Sequence, residues 1–348
     1  MTRYLLLISL QPRSLFRRRL RRGSITISAG LARSPFTART ENSKHIGTKT
    51  MLAIIGDSVM WGQGLLPSRK LSASLPQLLA AAHPGLTAKS YAHSGAVIGV
   101  GAVPGIADAS GEVPVADPTI LAQATQLAGL AEPITAVILN GGINDVDIRV
   151  IVNPFTTRAH LASLIERYCY QDMLALLEGV QAAVPGEAIP ILVVGYYPIL
   201  SHDSSLDRYP DLLESYALPV GEPFTLLSDE EKAKRWLGSV GNCLTFWHES
   251  DACLARAVEK FNRQSVTNRA QFVKLPFAEE NAVFASKPWL WGVDATLQPE
   301  DEVVHERRDA CRVTERGRIA RFMCDRASVG HPNVTGAEIM SQRIASAL

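Results

Sequence analysis

A serine early in the chain and a histidine near its end form a candidate catalytic pair. Ser58 lies in the segment Gly-Asp-Ser-Val at 56–59, and His331 lies in the segment Gly-His-Pro-Asn at 330–333. A serine hydroxyl becomes a nucleophile when a neutral imidazole accepts its proton. Taken singly, such a serine is more typical of a turn or helix cap, and such a histidine of a structural role.

Two further residues could stabilise the oxyanion that attack by a serine creates. Asn144, in Gly-Ile-Asn-Asp at 142–145, carries amide donors, and Gly95, in His-Ser-Gly-Ala at 93–96, permits close approach of a backbone N–H. Donors aimed at a developing negative charge contribute strongly to acyl transfer. Each segment alone is also an ordinary turn, so the hypothesis depends on all four residues meeting.

The surrounding elements would bring these residues to one edge of a sheet. Short apolar runs alternate with stretches of helical periodicity, which predicts parallel strands with helices on both sides. The predicted strands are Met51–Gly56, Leu86–His93, Ile134–Asn140, Ile191–Tyr197 and Phe272–Leu275, and the predicted helices cover 68–83, 118–130, 157–183, 251–265 and 336–348. In such sheets ligands bind at the carboxyl ends of the strands.

This order of motifs resembles the GDSL/SGNH hydrolase family, from Met51 to about Leu348. The resemblance implies an α/β fold, a three-layer α/β/α sandwich with a central parallel sheet of flavodoxin-like order. It implies Ser58 as nucleophile and first oxyanion donor, Gly95 and Asn144 as the other donors, and His331 as general base. The implied activity is that of a serine esterase, which hydrolyses a small-molecule carboxylic ester through an acyl-enzyme without metal or organic cofactor.

The acid that should orient the histidine departs from the family pattern. The family usually has an aspartate three residues before the histidine, where this chain has Ser328. The nearest acid upstream is Asp325, which could orient His331 if the intervening residues form a compact turn. The alternatives are a dyad of Ser58 and His331, with a backbone carbonyl or water on the imidazole, and a distant acid.

Two long segments of mixed polarity do not fit the strand–helix alternation. Residues 201–245 and 279–325 both contain Pro and Trp, and we expect them to be insertions over the strand ends, where substrate pockets form. The same catalytic residues with a polar pocket would make a carbohydrate O-deacetylase. The absence of aspartate at position 328 keeps open a catalytically inert carbohydrate- or lipid-binding domain of this fold.

The first fifty residues differ from the rest in charge. They hold nine Arg and two Lys against one acid, whereas residues 51–348 hold 24 basic and 33 acidic residues. The acidic body would repel a polyanion, so we expect no nucleic-acid partner. Segment 1–50 is typical of a transit peptide, which predicts a mitochondrial location, or of a disordered leader or upstream sequence, which predicts a cytoplasmic protein translated from Met51.

The five cysteines include no CxxC pair and no zinc-type spacing. This pattern favours buried thiols in a reducing compartment, with a Cys311–Cys324 bridge as an open alternative. No apolar run reaches the roughly 18–20 residues that span a bilayer, so we expect no transmembrane segment. The oligomeric state and the acyl and alcohol specificity have no signal in the sequence.

Overall fold

Five parallel strands form the centre of the fold. The computed structural model describes residues 50–103, 105, 109–184, 189–218, 224–265, 269–293, 301–314 and 317–348. The strands are β1 (Met51–Ile55), β2 (Thr87–Ser90), β3 (Ile134–Leu139), β4 (Pro190–Val194) and β5 (Arg269–Val273). Their order is β2-β1-β3-β4-β5, and every neighbouring pair is parallel. This is the flavodoxin-like order, which confirms the predicted fold class.

Burial of the sheet explains the composition of its strands. The sequences MLAII of β1 and ITAVIL of β3 are apolar almost throughout and buried, as expected for strands with both faces covered. The edge strand β2, with the sequence TAKS, is only partly buried. The strand order reverses between β1 and β3, and a crevice at their carboxyl ends is the expected ligand site of such a sheet.

Twelve α-helices in the described part of the chain surround this sheet. α12 packs on α2, α3 and α9 pack on α7, and α6 packs on α9; the two groups flank the strands. A π-helical stretch, Glu166–Asp172, joins α6 to α7. The helices are α1 (Ser58–Trp61), α2 (Leu71–Leu79), α3 (Ile120–Thr125), α4 (Ile143–Val146), α5 (Ile148–Ile151), α6 (Arg158–Ile165), α7 (Met173–Ala183), α8 (Tyr209–Ser215), α9 (Asp229–Gln264), α10 (Val304–Thr314), α11 (Arg318–Asp325) and α12 (Val334–Ala345).

Helix α9 is much longer than the predicted helix at 251–265. It begins after Ser228, whose side chain accepts a hydrogen bond from the Glu231 N–H at 3.2 Å and so caps the first turn. Its early buried face includes polar residues, and Ser239 and Asn242 donate to main-chain carbonyls of 152 and 153. Because these polar residues interrupt the apolar face, apolar periodicity did not reveal the helix, and the predicted insertion at 201–245 contains α8 and the first half of α9.

The second predicted insertion contains a cross-linked helical hairpin. A disulfide joins Cys311 of α10 to Cys324 of α11, which settles the alternative that the sequence left open. The two sulfurs pack with Val113 in a small apolar cluster beside the main core. Cys169, Cys243 and Cys253 are buried free thiols.

The described residues from 50 onward belong to one compact unit. The predicted basic leader, 1–50, lies outside the described residues except for its last position. Within the described ranges, no helix combines the length and apolarity needed to cross a membrane.

Candidate active site

Ser58 opens helix α1 at the carboxyl end of β1. Asp57 caps this helix, and its side chain accepts a hydrogen bond from the Val59 N–H at 2.8 Å. Gly56 has a φ of 143°, and a Cβ there would lie 2.2 Å from Asn140 Oδ1, so the turn requires glycine. In the described part of the chain the Ser58 N–H has no acceptor, as expected for a first-turn amide. The turn therefore presents both the hydroxyl and the amide of Ser58.

A buried network fixes the turn that carries Ser58. Asn140 Nδ2 donates to Asp57 at 2.8 Å, the Asp57 N–H donates to Asn140 Oδ1 at 3.1 Å, and the Tyr196 hydroxyl donates to Asp57 at 2.9 Å. Burial raises the pKa of Asp57, and these hydrogen bonds oppose the rise. The sequence analysis missed Asn140 and Tyr196; a polar residue closing an apolar strand was the available signal for Asn140.

His331 reaches Ser58 from the loop before α12. Its Nε2 lies 2.7 Å from Ser58 Oγ, within the range for proton transfer. The Gly330 N–H donates to the Trp291 carbonyl at 2.9 Å, and the Trp291 N–H donates to the His331 carbonyl at 2.8 Å. The loop is thereby held against the segment around residue 291. The structure brings together the serine and histidine that the sequence analysis paired.

The other imidazole nitrogen faces a backbone carbonyl rather than a carboxylate. His331 Nδ1 lies 3.3 Å from the Ser328 carbonyl oxygen. No hydrogen bond joins Asp325 to His331 in the described part of the chain, and Asp325 Oδ1 is buried without a hydrogen-bond partner there. Asp325 is the last residue of α11, and the turn that follows carries the chain to His331 without bringing this carboxylate to the ring. The expectation that Asp325 orients His331 is therefore corrected.

Asp325→Asn should change kcat by less than about threefold, because the variant keeps the shape of a side chain that does not contact the imidazole. In a true triad, the equivalent replacement of the aspartate by asparagine lowers kcat about 10⁴-fold. Steady-state kinetics on a nitrophenyl ester would measure the effect, with Asp309→Asn on the neighbouring helix as the matched control. A loss of 10²-fold or more confined to Asp325→Asn would reinstate this residue as the orienting acid.

Gly95 and Asn144 lie at the same cleft. Asn144 Nδ2 donates to the Ala96 carbonyl at 3.0 Å, which leaves the second amide proton for a ligand. Gly95 has a φ of 80°, and a Cβ there would lie 2.6 Å from Val115 N. Within the described ranges the Gly95 N–H has no acceptor. Both residues line one cavity with Ser58 and His331.

Four residues from separate segments thus meet at the reversal point of a β2-β1-β3-β4-β5 sheet. The chain has a flavodoxin-like α/β fold, in which Ser58, Gly95, Asn144 and His331 converge at one cleft. This convergence is what the resemblance to the GDSL/SGNH hydrolase family led us to expect.

Comparison with known proteins finds only distant similarities. No family model and no curated protein matches the chain significantly. A lipase, Lip_vut3 from a goat rumen metagenome, is 12% identical, with 86% of this chain and 97% of that chain covered and a TM-score of 0.41. The carbohydrate acetylesterase Est24 from Sinorhizobium meliloti is 13% identical, with 86% and 98% covered and a TM-score of 0.37. AlinE4, an SGNH-hydrolase family esterase, is 16% identical, with 57% and 96% covered and a TM-score of 0.29.

Asp145 ties the segment of Gly95 to the segment of Asn144. Both of its carboxylate oxygens accept the Ile98 N–H, at 3.1 and 3.0 Å. Burial raises the pKa of Asp145 to about 6. This contact joins the loop after β2, which carries Gly95, to α4, which carries Asn144, and so fixes the spacing between the two amide donors.

The cleft beside Ser58, Gly95, Asn144 and His331 is small and mainly apolar. Its volume is about 130 Å³. Among the described residues that line it, Arg326 is the only one with a permanent charge. The apolar side chains that line it are Val59, Pro114, Ile143, Ile148, Tyr197, Ile199, Tyr216, Met323, Ala327 and Val329.

The pKa of His331 is lowered to about 4, chiefly by burial and also by nearby Arg307, while the Ser328 carbonyl and Asp301 oppose the drop. The imidazole must be neutral to accept the Ser58 proton. Activity should therefore persist through pH 5 and fall as the pH drops through about 4.

A profile of kcat/KM between pH 3.5 and 8 would check this expectation, because it reports the ionisation of the free protein. Circular dichroism at each pH would separate titration from unfolding. As the pH falls, His331 binds a proton in the unfolded chain before it does so in the folded chain. The free energy of unfolding therefore also declines between pH 6.5 and about 4. An inflection near 6.5 would contradict the low pKa.

Proposed function

We propose that this chain is a serine hydrolase of carboxylic esters that works through an acyl-enzyme on Ser58. The observation that carries the proposal is the 2.7 Å contact between Ser58 Oγ and His331 Nε2, in a cleft that also exposes three candidate oxyanion donors. A binding domain without catalysis would not need this pair at proton-transfer distance.

The proposed reaction has two halves with the same geometry. Ser58 Oγ attacks the ester carbonyl while its proton passes to His331 Nε2, and the Ser58 N–H, the Gly95 N–H and the Asn144 amide stabilise the oxyanion. The imidazolium then gives the proton to the leaving alcohol, and the acyl group stays on Ser58. A water molecule attacks this acyl-enzyme, His331 takes the water proton, and Ser58 leaves as the free hydroxyl with release of the acid.

The lining of the cleft supports an apolar acyl group. Aliphatic and aromatic side chains from α4, α5, the loop after β4 and the segment after α11 surround the nucleophile. A carbohydrate O-deacetylase would need polar groups to bind the sugar hydroxyls, and the lining offers few. We therefore place an ester of an apolar carboxylic acid ahead of an acetylated carbohydrate.

Labelling with a fluorophosphonate tests the activated serine, and mass spectrometry would locate the label. We expect one adduct on Ser58. A panel of nitrophenyl esters from acetate to palmitate, run beside acetylated sugars, tests the acyl group. Higher kcat/KM on short and medium acyl esters than on any acetylated sugar is the expected result. Absence of labelling would reject the serine hydrolase, and a preference for acetylated sugars would replace the substrate class.

A further inference from the structure

A buried ion pair lies directly behind the residue that bonds to the catalytic imidazole. The Ser328 hydroxyl donates to Asp301 Oδ2 at 2.7 Å. Arg307 binds both oxygens of the same carboxylate, with Nη1 2.8 Å from Oδ1 and Nη2 2.6 Å from Oδ2. The side chains of Arg307 and Asp301 are 1% and 5% exposed. Two parallel hydrogen bonds hold both side chains of such a pair in a fixed geometry. Removing either partner would leave a buried charge without its counterion.

Arg307 also fixes the chain on the other side of Ser328. Its Nε and Nη2 donate to the Asp325 carbonyl, at 3.3 and 3.1 Å, where α11 ends. Glu112 Oε2 lies 3.8 Å from Arg307 Nη1 and contributes a second nearby negative charge. One guanidinium therefore holds the end of α11 and, through Asp301, the hydroxyl of Ser328.

The main chain of Ser328 is the part that contacts the histidine. Its carbonyl accepts from the His331 N–H at 2.9 Å and faces His331 Nδ1 at 3.3 Å. Its side chain bonds to Asp301 instead of the ring. The carbonyl oxygen thus selects the tautomer with the proton on Nδ1, which leaves Nε2 free to accept the Ser58 proton.

We propose that Asp301, Arg307 and Ser328 form a positioning clamp that takes the place of an orienting carboxylate. None of the three is a catalytic residue, since none touches the reacting atoms. The clamp holds the Ser328 carbonyl, and the carbonyl holds the imidazole. This inference rests on the proposed ester hydrolysis, because it assigns to the clamp the orientation of the general base.

The charges of the clamp explain why it acts by positioning the imidazole rather than by stabilising the imidazolium electrostatically. Arg307 lowers the pKa of His331 and Asp301 raises it, so their effects on the imidazolium oppose each other. A clamp without net charge should contribute less than a triad carboxylate does. Its loss should cost roughly 10- to 100-fold in kcat, the scale of a misplaced catalytic group.

Ser328→Ala is the first test, because it removes the hydroxyl bond to Asp301 and keeps both the carbonyl and the Asp301–Arg307 pair. We expect kcat to fall within that range while KM changes little. Loosening should also admit water to the imidazole, so the acid limb of the kcat/KM profile should move from about 4 toward 6.5. Ser328→Thr keeps the hydroxyl and should restore both rate and profile.

Ser341→Ala is the matched control, because Ser341 is also a buried serine with a hydrogen-bonded hydroxyl. That hydroxyl donates to the Ala337 carbonyl within α12, away from the cleft. It should lose stability without a change in kcat or acid limb. Unchanged kinetics in Ser328→Ala, or equal losses of kcat in both alanine variants, would overturn the clamp. The proposed function would still stand if fluorophosphonate labels the unaltered protein. If that protein is not labelled, the proposed function fails and the clamp fails with it.

Discussion

Replacing Ser58 with alanine should abolish ester hydrolysis and fluorophosphonate labelling while the protein stays folded. Loss of the nucleophile in a serine hydrolase costs on the order of 10⁶-fold in kcat. The hydroxyl bonds only to His331 in the described part of the chain, whereas the turn itself is held by Gly56, Asp57 and Asn140. The substitution therefore removes the reacting atom and leaves the turn in place.

Initial rates on a nitrophenyl ester and intact-protein mass spectrometry would measure this outcome, and thermal melting would confirm the fold. Ser74→Ala suits as a control because that hydroxyl bonds to Ser341 between α2 and α12. Turnover in Ser58→Ala close to that of the unaltered protein would sink the nucleophile assignment. It would also direct attention to another group in the cleft.

Asn144→Ala should lower kcat about 10²- to 10³-fold with a much smaller change in KM, because an oxyanion donor acts mainly in the transition state. The variant also loses the bond to the Ala96 carbonyl, so a moderate drop in melting temperature accompanies the kinetic loss. A turn residue without a catalytic role would show only the drop in stability.

Asn262→Ala separates these two outcomes. Asn262 Nδ2 donates to the Ala270 carbonyl at 2.7 Å beside β5, a bond of the same kind at a site remote from the cleft. Both variants should melt earlier, and only Asn144→Ala should lose kcat. If Asn144→Ala melts earlier and keeps its rate, the amide is structural and the oxyanion hole consists of the two backbone donors.

The sheet and the position of the cleft could be predicted because local patterns determine them. Apolar runs marked β1, β3 and β4, and the chemistry-bearing segments follow the strands as the fold class requires. The Ser58–His331 contact and the shared cleft with Gly95 and Asn144 are present in the structure, while their catalytic roles remain predictions. The predictions on nucleic acid, location and segment 1–50 also remain untested.

The orientation of His331 could not be predicted because it depends on contacts between distant segments. In the sequence, the acid nearest before the histidine is Asp325. The carboxylate that matters for position is Asp301, thirty residues upstream, and it acts through Ser328 and Arg307. A buried arginine in a segment of mixed polarity gave no local signal, since its partners meet only after α10 and α11 have packed.

The first half of α9 was missed for a related reason. Its buried face carries Ser239 and Asn242, whose hydrogen bonds to the loop after α5 replace apolar packing. Apolar periodicity marks only those helix faces that are buried by apolar side chains. The later part, with Phe246, Leu254 and Phe261 buried, gave the expected signal.

The bridge between Cys311 and Cys324 ties one wall of the cleft to the redox state of two thiols. Met323 and the residues after Cys324 form one wall of the cleft beside Ser58, so the cross-link is part of the cleft architecture. Such bonds persist where thiols are oxidised and are rare where glutathione keeps them reduced. Formation of this disulfide therefore fastens the segment that lines this side of the cleft. The redox history of a preparation becomes a variable in every measurement of chain-length preference.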